Sequence, residues 1–307
     1  MKRLFILATA AIVALASCAK TEVVYTDAPE EISFKAVTGA MTKAAILDET
    51  YTETSMYVYS WKNEDKAEYE SVTTFTNSGD GNFKASPSLY YPNTGALDFV
   101  AFTKAPTSNT GNKTYSLTLD DNTTTQHDLM ASSYVVNKDK DAPTVNLPFH
   151  HTLALVSVNF KCTGLGITVK SVSLAGTKQA GDVTVTYSAD DTDTTPTTSW
   201  SPTGGAQTCS ATDLNLSVTA GAVEFENAAN FLVVPENGTG KTLTVVYEDE
   251  NGFETTAPIN LDNESANDWS GSGKKYNLDL TVGATEIVFT ASVEDWGTEA
   301  SYPLSSL

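Results

Sequence analysis

The groups best equipped for chemistry are three His, three Cys and a few short runs of carboxylates. His127 stands beside Asp128 in a polar stretch, and His150 and His151 are adjacent at the opening of an extended run. Neighbours on a strand point to opposite faces, so such a pair does not readily hold one metal ion. A Ser-His-Asp set can be drawn through His127 or His151. No Gly-x-Ser-x-Gly elbow, His-Glu-x-x-His pair or phosphate loop accompanies it. The acidic runs Asp190-Asp191-Thr192-Asp193, Glu248-Asp249-Glu250-Asn251-Gly252 and Asp262-Asn263-Glu264 lack the ligand spacing of a calcium loop and read as solvated turns. No residue is assigned to catalysis, and neither an enzymatic activity, a cofactor nor a metal is expected. Cys162 and Cys209 have no Cys-x-x-Cys or Cys/His spacing. They either pair in an oxidising compartment or sit apart as small buried hydrophobes.

Cys18 belongs to a different chemistry. Met1-Lys2-Arg3 is a basic head, residues 4–15 are apolar but for Thr9, and Leu15-Ala16-Ser17-Cys18 closes the segment. This is the layout of a secretory signal. The apolar run is short of the ~20 residues that span a bilayer. Its ending resembles the bacterial lipobox, in which the Cys thiol takes a diacylglycerol and the leader is cut just before it. Several acyl chains, such as palmitate, give stable anchoring at ~0.8 kcal/mol per buried CH₂. Residues 1–17 are therefore expected to be a lipoprotein signal peptide and Cys18 the first mature residue. Losing Lys2 and Arg3 takes the formal charge from −20 to −22. So acidic a chain has no electrostatic route to nucleic acid, which is excluded as a partner.

The elements that would position these residues are strands. Period-2 runs rich in β-branched and aromatic residues recur, separated by Gly, Asn, Asp, Pro and Ser. They include Glu31–Val37, Met56–Trp61, Leu97–Phe102, Thr114–Leu119, Ser133–Asn137, Ala154–Lys161, Thr168–Leu174, Asp182–Tyr187, Asn230–Val234, Leu243–Glu248, Tyr276–Val282 and Glu286–Val293. In Ala154–Cys162, Val156, Val158, Phe160 and Cys162 share one face and Ser157, Asn159 and Lys161 the other, as in a strand with a core side and a wet side. Ala44–Thr52 is the one short helical candidate. Such a chain predicts an all-β protein of antiparallel sheets packed as sandwiches. The polar stretch around Asp139–Pro148 divides it into two tandem units, a β-sandwich over 18–143 and another over 144–307. Thr186–Ser210, rich in Asp, Thr, Ser, Pro and Gly, reads as an exposed loop.

Tyr57, Tyr59 and Trp61 fall on one strand face, which suits a core better than a sugar platform. A glycan- or host-protein-binding role without polymerisation is the alternative function. It needs an exposed aromatic patch, for which Trp61, Trp200 and Trp269 are the candidates.

Several landmarks in order resemble the fimbrillin-like lipoproteins, the subunits of type V pili. They are Ile32-Ser33-Phe34, Met41-Thr42-Lys43-Ala44, Val58-Tyr59-Ser60-Trp61, Leu89-Tyr90-Tyr91-Pro92 with Leu97–Phe102, Phe149-His150-His151-Thr152-Leu153-Ala154, Gly273-Lys274-Lys275-Tyr276 and Val293-Glu294-Asp295-Trp296. The resemblance runs from about residue 31 to 297. It implies two transthyretin-like sandwiches, a cell-surface, outer-membrane location through lipid on Cys18, and a role in adhesion with host or bacterial surface ligands. It also implies an assembly route. A trypsin-like protease cuts after a basic residue, here between Lys43 and Ala44. The first strand, with Ile32 and Phe34, leaves. A strand of another fimbrial subunit takes its place, and because head-to-tail donation does not close, a fimbrium grows. The donor is a C-terminal strand, either Glu286–Val293 or the tail Trp296–Leu307.

Overall fold

The computed structural model describes residues 29–38, 54–77, 79, 81–110, 113–123, 126–188, 194–237, 240–262, 268–283 and 286–296. Every element among them is a strand. In chain order the first ten are β1 (Ser33–Thr38), β2 (Ser55–Lys62), β3 (Glu68–Asn77), β4 (Phe83–Ala85), β5 (Leu97–Phe102), β6 (Ser108–Asn109), β7 (Thr114–Leu119), β8 (Met130–Ser132), β9 (Val135–Lys138) and β10 (Thr144–His151). There follow β11 (Ala154–Cys162), β12 (Ile167–Thr177), β13 (Ala180–Thr186), β14 (Thr197–Thr203), β15 (Gln207–Ala211), β16 (Leu216–Val218) and β17 (Glu226–Val233). The last are β18 (Glu236–Asn237), β19 (Thr242–Asp249), β20 (Glu254–Asn260), β21 (Asp268–Trp269), β22 (Lys274–Val282) and β23 (Ile287–Asp295). The chain is all-β, as its alternation predicts. The helical candidate Ala44–Thr52 lies outside the described residues.

The first sheet runs β2-β3-β4-β1-β10-β8-β5-β9, and β2 also pairs with β5. That extra pairing closes seven of its strands into a ring, so most of its edges are satisfied within the sheet. Ile32, Phe34, Met56, Phe75, Phe83, Leu97, Phe99 and Phe149 fill its interior. A second core lies between the sheets β17-β11-β22-β23 and β15-β12-β19-β20. The predicted inward face of β11, Val156, Val158, Phe160 and Cys162, meets Val169, Val172 and Leu174 of β12 there.

Three expectations are corrected. Pairing is not purely antiparallel, because β1 runs parallel to β10 and β11 parallel to β22. The stretch Thr144–His151 does not open the second half but closes the first sheet beside β1. β10 thus belongs to the sheet of β1, and His150 and His151 end one strand instead of opening the next. The segment Thr186–Ser210 is not only loop. Its polar composition hides β14, which pairs along the whole of β13. That pairing, not burial, holds β14, whose side chains are mostly exposed.

The two halves share a third core. Tyr59, Val100, Phe102, Tyr115 and Leu117 from the first pack with Leu153, Leu155, Val183, Val185, Leu232 and Val234 from the second. Within it β13 pairs in register with β7, Gly181 opposite Leu119 through Thr186 opposite Thr114.

Candidate subunit interface

β1 is an inner strand by position and by burial. It lies between β10, with six register pairs from Ser33–Thr144 to Thr38–Phe149, and β4, paired through Ser33–Lys84 and Phe34–Phe83. The alternation that makes it a strand also points Ile32, Phe34 and Ala36 inward. Ile32 and Phe34 have no exposed surface. The Phe34 ring meets Phe75 and Phe99 edge to face, with centroids 4.8 and 5.1 Å away. On the other face the Ser33 and Thr144 hydroxyls are hydrogen-bonded at 2.8 Å. Lys35 is half-buried and projects from the middle of the ladder. Its backbone is laddered to Asn146 of β10, which makes it a poor protease substrate.

The entry to β1 is pinned by charge. The Glu31 carboxylate accepts from Ser88 Oγ at 2.6 Å and Lys84 Nζ at 3.0 Å. The Ser88 hydroxyl and then the Lys84 ammonium hold its pKa below the ordinary 4.5. Backbone bonds from Ile32 N to Leu89 O, 2.8 Å, and from Tyr91 N to Glu30 O, 3.0 Å, complete the pin. Removing β1 would strip a groove lined by Phe75, Phe83, Phe99, Val145 and Leu147. Cys18, Lys43 and Ala44 lie outside the described residues.

The histidines are brought together, but not as a catalytic set. His151 Nδ1 lies 2.5 Å from Asp128 Oδ2, and its ring stacks on Trp296 at 3.5 Å. His150 Nε2 lies 2.9 Å from Ser133 Oγ. Burial, helped by His151, pushes the His150 pKa down. The hydroxyl and the carboxylate thus serve different imidazoles, and no relay runs from Ser through His to Asp among these contacts. His127 is placed by its own backbone, whose N–H donates to Asn122 Oδ1 at 2.8 Å. A groove of about 860 Å³ opens beside this cluster, lined by Thr144, Asn146, Pro148, Thr195, Gly273 and Trp296 among others. The Glu248–Gly252 run forms a turn, with Asp249 Oδ1 accepting from Asn251 N at 2.8 Å and Phe253 N at 3.0 Å.

The three tryptophans offered as a sugar platform are packed instead. Trp61 stacks with Tyr59 at 6.1 Å, Trp200 Nε1 donates to Thr152 O at 2.6 Å, and Trp269 is fully buried. Cys162 and Cys209 are free and buried in the second core. Burial raises both thiols, Cys209 to about 11.

Sequence reasoning missed a buried carboxylate at the rim of the first ring. Asp98, with no exposure, accepts from Asn63 Nδ2, Lys66 Nζ and Asn137 N at 2.8–2.9 Å and from Tyr134 Oη at 3.2 Å. Its signal was a charge in the otherwise apolar run Leu97–Phe102.

Comparison with known proteins fits this frame. The chain is similar to a solved candidate cell adhesion protein from Bacteroides uniformis, with 19% identity, 87% of this chain and 99% of that one covered, and a TM-score of 0.54. It is similar to a solved fimbrial protein from Bacteroides vulgatus, with 14% identity, 87% and 99% covered, and a TM-score of 0.53. At these identities the likeness is one of fold. The comparison with curated proteins gives no match. The family model for fimbrillin-like proteins matches residues 42–296, most of the chain. The chain belongs to the fimbrillin-like family.

Proposed function

We propose that the protein is a fimbrial subunit carried to the outer-membrane surface as a lipoprotein on Cys18, cut between Lys43 and Ala44, and assembled into an adhesive fimbrium by exchange of its first strand. The observation that carries this reading is the seat of β1. Strand addition needs a sheet that becomes incomplete when one strand leaves, with unpaired backbone on both sides and an apolar trough beneath. β1 is held between β10 and β4 over such a trough. Each of Ile32, Phe34 and Val37 accounts for about 1.5–3 kcal/mol of burial, so the vacated seat is strongly disposed to refill. Lys43 lies five residues past Thr38, the end of β1, so a cut there separates the β1 segment covalently from the rest of the chain. The frame is proposed to be two transthyretin-like sandwiches. The second core, filled from two sheets, supports this for the second half.

Limited trypsin digestion of the lipid-free folded protein tests the reading, with N-terminal sequencing and native mass measurement of the product. A single early cut before Ala44, loss of the peptide containing β1 and growth of oligomers are expected. A chain that resists at Lys43, or is cut and keeps β1 in a tight monomer, is a fixed lipoprotein, and the proposal falls.

A further inference from the structure

The groove beside the histidines is floored by a strand with an open edge. In a parallel pair only every second residue bonds a given neighbour. Ser33 N donates to Pro143 O at 3.2 Å, so in this register the odd-numbered residues of β10 bond to β1. The even-numbered Thr144, Asn146 and Pro148 turn their backbone the other way. Pro148 O accepts from Ser133 N at 2.6 Å, and β8 reaches β10 only at Phe149–His151. Past Ser133 the chain stays with β5 instead, through Phe99–Val135 and Leu97–Lys138. The N–H and C=O groups of Thr144 and Asn146 are left facing the groove without a partner among the described residues. Unpaired backbone groups of this kind seek a partner. The slot is short. The Ser133–Pro148 bond closes it at one end, and a turn at 139–143, where Asp141 N donates to Asp139 Oδ1 at 3.0 Å, closes it at the other.

Other unsatisfied groups converge on the same space. The Thr194 hydroxyl is buried with no hydrogen-bond partner. Two backbone bonds to Tyr134, of 2.8 and 3.0 Å, hold it in the wall. The Trp296 indole, braced on His151, adds an apolar wall. Lys138 lines the groove and has no carboxylate paired with it among the described residues, in a chain whose Asp and Glu outnumber Lys and Arg by 38 to 18. The one carboxylate of the lining, Asp295, is already paired with Lys274.

We infer that this groove binds a short glycan that carries a carboxylate. Lys138 meets the carboxylate, the Thr144 and Asn146 backbone and the Thr194 hydroxyl meet ring hydroxyls, and a sugar ring lies against Trp296. The inference rests on the reading of the protein as adhesive, and not on exchange of β1. A volume of about 860 Å³ is within the ~300–1,000 Å³ of ligand pockets. Sugar hydroxyls both donate and accept, which suits alternating N–H and C=O groups. An edge of two residues, closed at both ends, is too short for the ladder that holds an extended peptide.

The test is calorimetric titration of the lipid-free, uncut protein with sialyllactose, with a trimer of galacturonic acid, with neutral lactose and with an acidic hexapeptide. One of the two acidic sugars should bind at least about tenfold more tightly than lactose, as expected for one charge-assisted contact, and which one does so identifies the source of the carboxylate. That preference should shrink as salt is raised. Lys138→Gln should abolish it without changing Tm. Thr194→Val should weaken the sugar that binds, and Lys104→Gln, outside the groove, should leave binding as it is. Failure of both acidic sugars to bind at millimolar concentration, binding unchanged in Lys138→Gln, or binding of the peptide in place of the sugars would overturn the inference. Adhesion to a glycan-coated surface that survives both Lys138→Gln and Trp296→Ala would overturn it and leave the adhesive reading standing.

Discussion

At the residue scale, Asp98 is the most exacting group in the first half. Burial alone would raise its pKa, but the Asn137 N–H, the Asn63 amide and the Lys66 ammonium outweigh it and hold the carboxyl below the ordinary 3.8. A group depressed on folding contributes its stability in full above the unfolded value, and that contribution is lost as pH falls through the folded one. Asp98→Ala removes the carboxylate that the Asn137 N–H donates to, at about 1–3 kcal/mol for that donor. Its urea midpoint at pH 7 should fall, and the deficit relative to wild type should shrink below pH 3.8. A deficit that is the same at both pH values would show that ionisation is not the source. The cysteines give a second expectation. With both thiols raised and enclosed, a thiol reagent should titrate neither Cys162 nor Cys209 in the native protein and both after unfolding, and a reductant should leave Tm unchanged. A reductant-sensitive Tm would mean that they are paired.

At the scale of the element, β1 and β23 differ in energetic standing. Phe34→Ala opens a cavity in a closed ring and should cost about 3–5 kcal/mol. Phe289→Ala, at a half-covered edge, should cost clearly less, because part of its ring already faces water. Equal losses in chemical denaturation would mean that β23 is as firmly seated as β1. The pin at Glu31 adds a pH dependence. Its pKa is lowered by Ser88 and Lys84, so the hold on β1 is complete above 4.5 and weakens as pH falls through the folded value. After the cut at Lys43, release of the β1 peptide should be faster at pH 4 than at pH 7, and Glu31→Gln should abolish most of that difference. Release at equal rates would remove Glu31 from the account.

At the scale of the molecule, the halves are joined by more than a linker. Phe102 of the first sheet, Leu155 and Leu232 of the sheet β17-β11-β22-β23 and Tyr115 of β7 occupy one core, and β7 pairs with β13 from the other half of the chain. Leu232→Ala should therefore lower stability by about 2–5 kcal/mol and shift the unfolding of both halves together. Calorimetry and tryptophan fluorescence should report one coincident transition. Two separated transitions, only one of them shifted, would show that the halves fold independently.

The sequence by itself determined the class of the molecule, because strand alternation is a local pattern. Val156, Val158 and Phe160 point inward from β11 as their spacing predicts, and Ile32 and Phe34 are buried in β1 for the same reason. The order of landmarks from Ile32 to Trp296 was enough to bring out the family. What lay beyond it was whatever depends on partners distant in the chain. Parallel pairing of β1 with β10 joins residues over a hundred positions apart, and nothing near Ser33 or Thr144 announces it. β14 is polar and looks like a loop until β13 lies beside it. Nor does the sequence tell that Asp128 meets His151 while Ser133 meets His150. Tertiary structure decided these points because a sheet is completed by strands from anywhere in the chain. Each strand's own residues fix which side faces the core but not which neighbour it takes.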